Sequence, residues 1–263
     1  MDGFRCDVAP LVPLEFWLRA RREVETVRPG CLWLAESVEP EFIRDNRNRG
    51  MVSHSDCELY QAFDLCYDYD IYGDFLSYVQ GKTELTDYVR ALERQESIYP
   101  ADYAKLRFLE NHDRPRMAHL FPERRTRLNW LCWMFFQKGT ALLYGGQEWE
   151  NDHRPDLFDP DPIPMEGPAP LEELIRRLTA LKKDPILSHG VYSLQACTND
   201  TLLAVWKEGE RRLTGAFCLR GAPSLVPVEL SDGRYENLLK PGTFLRVESG
   251  LLALDGNPAV LEG

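Results

Sequence analysis

The chain has 263 residues, 44% of them hydrophobic and 28% charged, which places it among ordinary globular proteins with enough apolar surface for a sizeable core. Its 42 acidic residues outweigh 31 lysines and arginines, for a formal net charge of -11, and this argues against nucleic acid or an anionic membrane surface as the main partner. The most apolar stretch, Leu128 to Phe136, is too short to span a bilayer, so no membrane insertion is expected.

Met1 to Cys6 reads as the end of a strand. Leu14 to Val27 follows as a helix with Leu14, Trp17, Leu18, Val24 and Val27 in helical spacing, and Pro29-Gly30 stops it. Cys31 to Ala35 is a continuous apolar run of strand length, as expected in a parallel sheet covered on both faces. Asp45 to Arg49 reads as a polar loop, a further strand is expected near Ala62 to Tyr67, and Asp74 to Val79 and Leu85 to Arg94 read as helices. Ala104 to Leu109 is the next strand. Glu123 to Lys138 is a helix with Leu128, Leu131, Cys132 and Phe135 on one stripe, and Thr140 to Tyr144 is a strand running into Gly145-Gly146, where the backbone can turn tightly or be closely approached.

A long acidic, proline-rich loop, Asp152 to Pro170, leads to an amphipathic helix over Leu171 to Lys183 with Leu174, Leu178 and Leu181 inward. Beyond Pro185 the period changes to short alternating runs, such as Leu202 to Trp206 and Leu213 to Leu219, punctuated by turn signals at Gly209, Ser231-Asp232-Gly233 and Asp255-Gly256-Asn257. The expectation is an α/β region over 1–187 followed by an antiparallel β domain over 188–263. Seven scattered cysteines without a C-x-x-C pair fit free thiols rather than a disulfide framework or a metal cluster. With no secretory leader pattern at the amino terminus, the chain reads as cytoplasmic.

Chemistry concentrates on three acids, each placed where a short apolar run stops. Asp7 and Glu36 lie 29 residues apart, about one strand-helix-strand unit of roughly 30 residues, and Asp113 follows in Asn111-His112-Asp113. In a parallel barrel the carboxyl ends of the strands form one rim, so this spacing converges acids distant in sequence. Arg5 and Asp7 share a strand face, and a guanidinium beside a carboxylate favours its ionised form. Glu36 follows apolar Trp33 and Leu34, where desolvation raises a carboxyl pKa toward that of a proton donor. Taken singly, Asp7 and Glu36 are better explained as a structural pair and a solvated strand end, and Asp113 equally well as a capped turn. Together they suit retaining glycoside chemistry, in which a nucleophile and an acid/base stand about 5–5.5 Å apart. Cys6 should point away from Asp7 and pack. Tyr67, Tyr69, Tyr72 and Trp149 are read chiefly as packing or loop-anchoring residues, and the acidic loop lacks a calcium-loop pattern, so no metal is expected.

Four segments in order, Gly3-Phe4-Arg5-Cys6-Asp7, Leu34-Ala35-Glu36-Ser37, Phe108 to Asp113 and Thr140 to Glu148, resemble the signatures of the α-amylase family of glycoside hydrolases, family 13. The resemblance implies a partial (β/α)8 TIM barrel, strands four to eight, followed by an antiparallel β-sandwich. It implies that Asp7 is the nucleophile, Glu36 the general acid/base and Asp113 the acid that binds sugar hydroxyls and stabilises the transition state, with Arg5 and His112 as supporting substrate-binding residues. It also implies an oligo- or polysaccharide substrate with α-linked glucose, and no cofactor. The family motif after the third strand has no counterpart, and Ala9-Pro10-Leu11-Val12 replaces the Lys-His that many members carry after the nucleophile.

A complete barrel takes eight strand-helix units and about 250 residues, so an amino-terminally truncated chain is expected, with exposed strand edges that favour instability, oligomerisation or inactivity. Two rival readings remain at this stage. One is a metal-dependent barrel with strand-end acids around Mg²⁺, disfavoured by the arginine beside Asp7. The other is a non-catalytic fragment, or a glucan-binding or transglycosylating relative.

Overall fold

The computed structural model describes every residue from Met1 to Gly263. The chain forms two compact units, Met1–Arg107 and Phe108–Gly263. No helix is long and apolar enough to cross a membrane.

In the first unit, strands β1 (Gly3–Cys6), β2 (Leu32–Ala35), β3 (Leu65–Tyr67) and β4 (Ala104–Arg107) alternate with helices α1 (Leu14–Val27), α2 (Pro40–Asn48), α3 (Asp56–Leu59), α4 (Tyr72–Val79) and α5 (Leu85–Ile98). The four strands are parallel and adjacent in chain order, with Cys6 opposite Ala35, Ala35 opposite Cys66 and Cys66 opposite Lys105. Gly3 is required by this pairing: a Cβ there would stand 2.3 Å from the Leu32 carbonyl oxygen. Cys6, Ala35 and Cys66 point into one core with Trp17, Trp33, Leu59 and Phe63, so the packing role expected of Cys6 holds. The segment expected as a loop at Asp45 to Arg49 is largely the end of α2. Pro40 starts that helix, Ile43 and Asn46 are buried, and the Asn46 side chain donates to the Phe42 carbonyl. Its two buried residues give too narrow an apolar stripe for the period to stand out among charges.

A dense ionic web lies beneath β4. Lys105, with no exposed surface, donates to Asp70 at 2.7 Å and also to Asp56, and Arg107 donates to Asp68 at 2.7 Å and to Gln95 at 2.8 Å. Tyr99 donates to Asp70 at 2.7 Å. Burial pushes Asp56 up to about 6 against the pull of Lys105, with Asp70 adding to the rise. Asp70 is held below the usual range because, although burial opposes it, Lys105, Tyr99 and Gln95 stabilise its charge.

The second unit begins with α6 (Met117–Leu120), α7 (Arg124–Phe136) and a two-residue strand β5 (Thr140–Ala141), shorter than the expected run to Tyr144. After the proline-rich loop come α8 (Glu172–Lys182) and α9 (Ile186–His189). The single stripe expected for α7 is an underestimate, since Asn129 to Phe136 is buried without interruption. Eight antiparallel strands complete the unit: β6 (Val191–Cys197), β7 (Thr201–Glu208), β8 (Arg211–Cys218), β9 (Ser224–Pro227), β10 (Gly233–Glu236), β11 (Phe244–Glu248), β12 (Leu251–Leu254) and β13 (Ala259–Glu262). They form two four-stranded sheets, ordered β13-β8-β7-β6 and β10-β11-β12-β9.

Leu203, Ala216, Cys218 and Leu261 of the first sheet meet Val226, Val247, Leu252 and Leu254 of the second in a sandwich core. The other face of β8 receives α7. Phe217 lies with its ring centre 5.5 Å from Trp133 and 5.6 Å from Phe136, and a Cβ at Gly215 would stand 2.8 Å from the Phe136 ring. Buried Asn129 joins helix and sheet: its amide donates to the Arg125 and Gly256 carbonyls at 2.9 Å and accepts from the Cys218 N–H at 2.7 Å.

Candidate active site

Because β1 and β2 are parallel and end in register at Cys6 and Ala35, the next residues, Asp7 and Glu36, leave the sheet side by side. Glu36 N–H donates to the Cys6 carbonyl at 3.0 Å, and Ala9 N–H to the Glu36 carbonyl at 3.1 Å. Arg5 then links the two acids, donating from Nη1 to Asp7 Oδ1 at 2.5 Å and from Nη2 to Glu36 Oε1. The backbone N–H of Val8 donates to Glu36 Oε2 at 3.0 Å. To aim that donor, Val8 adopts φ 41°, ψ 44°, a left-handed conformation that is rare for a β-branched residue and costs about 1–3 kcal/mol.

The two carboxyls differ sharply in environment, with side-chain exposures of 75% for Asp7 and 8% for Glu36. Burial raises the Glu36 pKa, the Val8 N–H and the Arg5 charge oppose the rise, and the neighbouring Asp7 reinforces it. Burial works against the Arg5 cation, yet its hydrogen bonds to Asp7 and Tyr67 and the charge of Glu36 hold it above its ordinary value. One solvated carboxylate paired to a cation beside one desolvated carboxyl with a raised pKa is the division of labour that nucleophile and proton donor require.

In the second unit, Phe108 and Leu109 are buried and bring Glu110 and Asn111, 1% and 2% exposed, beneath a turn whose exposed tip carries His112 and Asp113. Asn111 shapes the turn by accepting the Asp113 N–H on its side-chain oxygen at 2.9 Å and the Arg114 N–H on its carbonyl at 3.2 Å. His112 Nε2 stands 3.3 Å from Asp113 Oδ2, with the side chains 38% and 42% exposed. Arg154 Nη2 donates to the Asp113 carbonyl at 3.1 Å. The turn thus presents an imidazole and a carboxylate together, the mixed donor and acceptor set suited to sugar hydroxyls.

The solved structure of an alpha-amylase from Lactobacillus plantarum superposes over 100% of this chain and 63% of its own, with 41% identity and a TM-score of 0.96. Over its whole length the chain is thus similar to part of the α-amylase fold. A noncanonic maltogenic alpha-amylase from Thermotoga neapolitana is 28% identical over 100% of this chain and 61% of its own, TM-score 0.82. An alpha-amylase from Geobacillus thermoleovorans, solved with acarbose, shares the fold at 20% identity, covering 100% and 60%, TM-score 0.74. The chain therefore spans about three fifths of the length of these structures. The family model for the bacterial alpha amylase C-terminal domain matches residues 193–261, and no curated protein matches the chain. As in these α-amylases, the parallel strands β1 to β5 are part of a barrel and the antiparallel sheets are the sandwich that follows it.

Several residues of the chain escaped sequence reasoning. The Val8 N–H is a backbone donor and leaves no compositional trace. Glu110 and Arg116, a buried ion pair at 2.6 Å, flank the His112-Asp113 turn without any distinctive spacing. The only sequence hint was Gly145-Gly146, read as a place of close approach: a Cβ on Gly146 would stand 2.5 Å from Ile163 and 3.4 Å from the Arg116 guanidinium. Tyr67, Tyr69 and Tyr72 are buried in ring contacts, and the Trp149 indole donates to the Gly167 carbonyl at 3.0 Å, so these aromatics pack and anchor as expected. Asp56, Asp68 and Asp70, the other acid cluster, are committed to Lys105, Arg107 and Gln95. A cavity of about 580 Å³ lined by Leu18, Arg21, Glu25, Cys31 and Asp64 opens where β2 and β3 begin, away from the strand ends that carry Asp7 and Glu36.

Proposed function

We propose that this chain carries the catalytic carboxylates of a retaining glycosidase acting on α-linked glucans. The observation that carries the reading is the Asp7-Arg5-Glu36 arrangement, in which one guanidinium joins an exposed and a buried carboxyl at the ends of adjacent strands. Glu36, with its raised pKa, gives its proton to the glycosidic oxygen as that bond breaks. Asp7, paired with Arg5, attacks the anomeric carbon and forms a glycosyl ester. Glu36, now a carboxylate, takes a proton from water, which attacks the same carbon and releases Asp7 with net retention. Asp113 and His112 hold sugar hydroxyls, and an acceptor sugar in place of water gives transfer instead of hydrolysis. All seven cysteines are free thiols, which supports a reducing, cytoplasmic setting.

The test is incubation of the purified chain with maltoheptaose, with and without EDTA, following products and their anomeric configuration by NMR. The reading expects EDTA-insensitive release of α-anomers, abolished in Asp7→Asn and Glu36→Gln. Loss with EDTA sinks it in favour of metal chemistry, to which the arginine across both acids is already opposed. Saturable binding without turnover sinks the catalytic reading in favour of a glucan-binding chain.

A further inference from the structure

Arg116 has no exposed side-chain surface, yet it is not in the core of a sheet or helix bundle; it sits just behind the His112-Asp113 turn. Each of its nitrogens has a separate acceptor. Nη1 donates to Glu110 Oε1 at 2.6 Å, Nη2 to the Gly145 carbonyl at 3.0 Å and Nε to the His153 carbonyl at 2.7 Å, while the guanidinium lies 4.5 Å from the centre of the Tyr144 ring. The second oxygen of Glu110 accepts the Met117 N–H at 2.5 Å. Glu110 and Met117 are the two ends of the segment that displays His112 and Asp113, so one buried ion pair closes that segment into a loop. The same cation moors it to the Gly145-Gly146 turn and to the start of the proline-rich loop.

The mooring is reciprocal. Arg116 reaches from the turn to the His153 carbonyl, and Arg154, the next residue, reaches back to the Asp113 carbonyl at 3.1 Å. Asn151 and His153 stiffen the far side: the Asn151 amide donates to the Pro164 carbonyl at 2.7 Å and His153 Nε2 lies 2.8 Å from Asp161 Oδ1. Burying a charge pair costs desolvation that a packed apolar pair would avoid, so a pair retained at this place calls for a role that leucine could not fill. Three acceptors in different directions from one planar fork is such a role, and a lysine, with one nitrogen, cannot span them.

We propose that Glu110 and Arg116, with Arg154 outside, are positioning residues that set the placement of His112 and Asp113 and dock the 151–170 loop beside them. The proposal rests on the reading of Asp113 as a sugar-binding acid. Arg116 acts through Glu110, which accepts the Met117 N–H, and Arg154 acts through the Asp113 carbonyl.

The test compares Arg116→Lys, which keeps the charge, and Arg154→Ala, an exposed change that leaves folding intact, with the unmodified chain. Two readouts are used, maltoheptaose turnover and the ring-proton resonances of His112. In both variants kcat should fall, by about tenfold or more in Arg116→Lys, with KM moving less than about threefold, because a misplaced transition-state contact acts on kcat. The His112 resonances should shift or broaden in both variants while the melting temperature of Arg154→Ala stays native. Unchanged His112 resonances and unchanged kcat in Arg154→Ala and in folded Arg116→Lys would overturn the proposal; if Arg116→Lys does not fold, Arg154→Ala alone decides. An Asp113→Asn chain with full turnover would refute the functional reading, and the His112 resonances then judge the positioning role without it.

Discussion

The backbone N–H of Val8 points at the carboxylate of Glu36 from 3.0 Å, and Val8 holds a left-handed conformation to do so. A donor fixed in the chain itself steadies the buried acid in its ionised form while burial favours the neutral one. The balance tips toward the raised side, which leaves Glu36 able to hold a proton at a pH where an ordinary glutamate has lost it.

Stability should record that balance. A carboxyl whose folded pKa lies above its unfolded value binds more protons when folded, so stability falls as pH rises from the unfolded toward the folded pKa and stays lower beyond it. Glu36→Gln, neutral at every pH, should therefore melt higher than the native chain near pH 7. The difference should shrink as pH drops below the ordinary glutamate range. Thermal melts of both chains from pH 3.5 to 8 test this, and a difference independent of pH would contradict it.

Arg5 lowers the Glu36 pKa through its charge. Arg5→Ala should push that pKa further up, moving the limb of the pH-rate profile that reports the proton donor to higher pH. It should also leave Asp7 without its cation and reduce kcat/KM by at least about tenfold, the equivalent of roughly 1.4 kcal/mol. A profile unmoved on the pH axis would show that Arg5 does not govern the acid.

Lys105 is fully buried between Asp56 and Asp70. Removing one partner of a buried ionic cluster leaves uncompensated charge, so Lys105→Met should cost about 3–5 kcal/mol in urea unfolding. Asp56→Asn added to Lys105→Met should recover part of that loss. Additive losses would mean that the web is not coupled.

Asn129 satisfies three backbone groups at once, in α7, in β8 and at Gly256. Asn129→Leu keeps the volume and strands the Cys218 N–H and the Gly256 carbonyl, each at about 1–3 kcal/mol. The expected signature is a lower urea midpoint. A native midpoint would mean that water replaces the amide.

How much of this could be read from the chain depends on how far each interaction reaches. Strand ends were legible because apolar runs stop abruptly at Cys6-Asp7 and Ala35-Glu36, and α1 and α8 because most of their apolar residues follow the helical period, although α1 buries only Trp17 and leaves Val27 at its end exposed. The environment of Glu36 was legible too, since Trp33 and Leu34 precede it. Helix α2 was hidden by its charges, and the unbroken burial of Asn129 to Phe136 in α7 by contact with both α8 and β8, a tertiary circumstance that periodicity does not encode. The Lys105-Asp56 link joins residues 49 apart, and Arg116 finds its acceptors on two other segments; no local pattern announces either. The structure places Asp7 with Glu36 and His112 with Asp113.

The Asn129 amide has a last consequence for anyone who would move these parts. The antiparallel strands look like a portable module, yet a backbone N–H of β8 ends on a side chain of α7, and the Trp206 indole of β7 ends on the Phe136 carbonyl at 3.0 Å. A graft of the sandwich onto another barrel would need a host helix with an asparagine and a free carbonyl at matching heights. Without them the transplanted sheet would arrive with two buried donors unsatisfied.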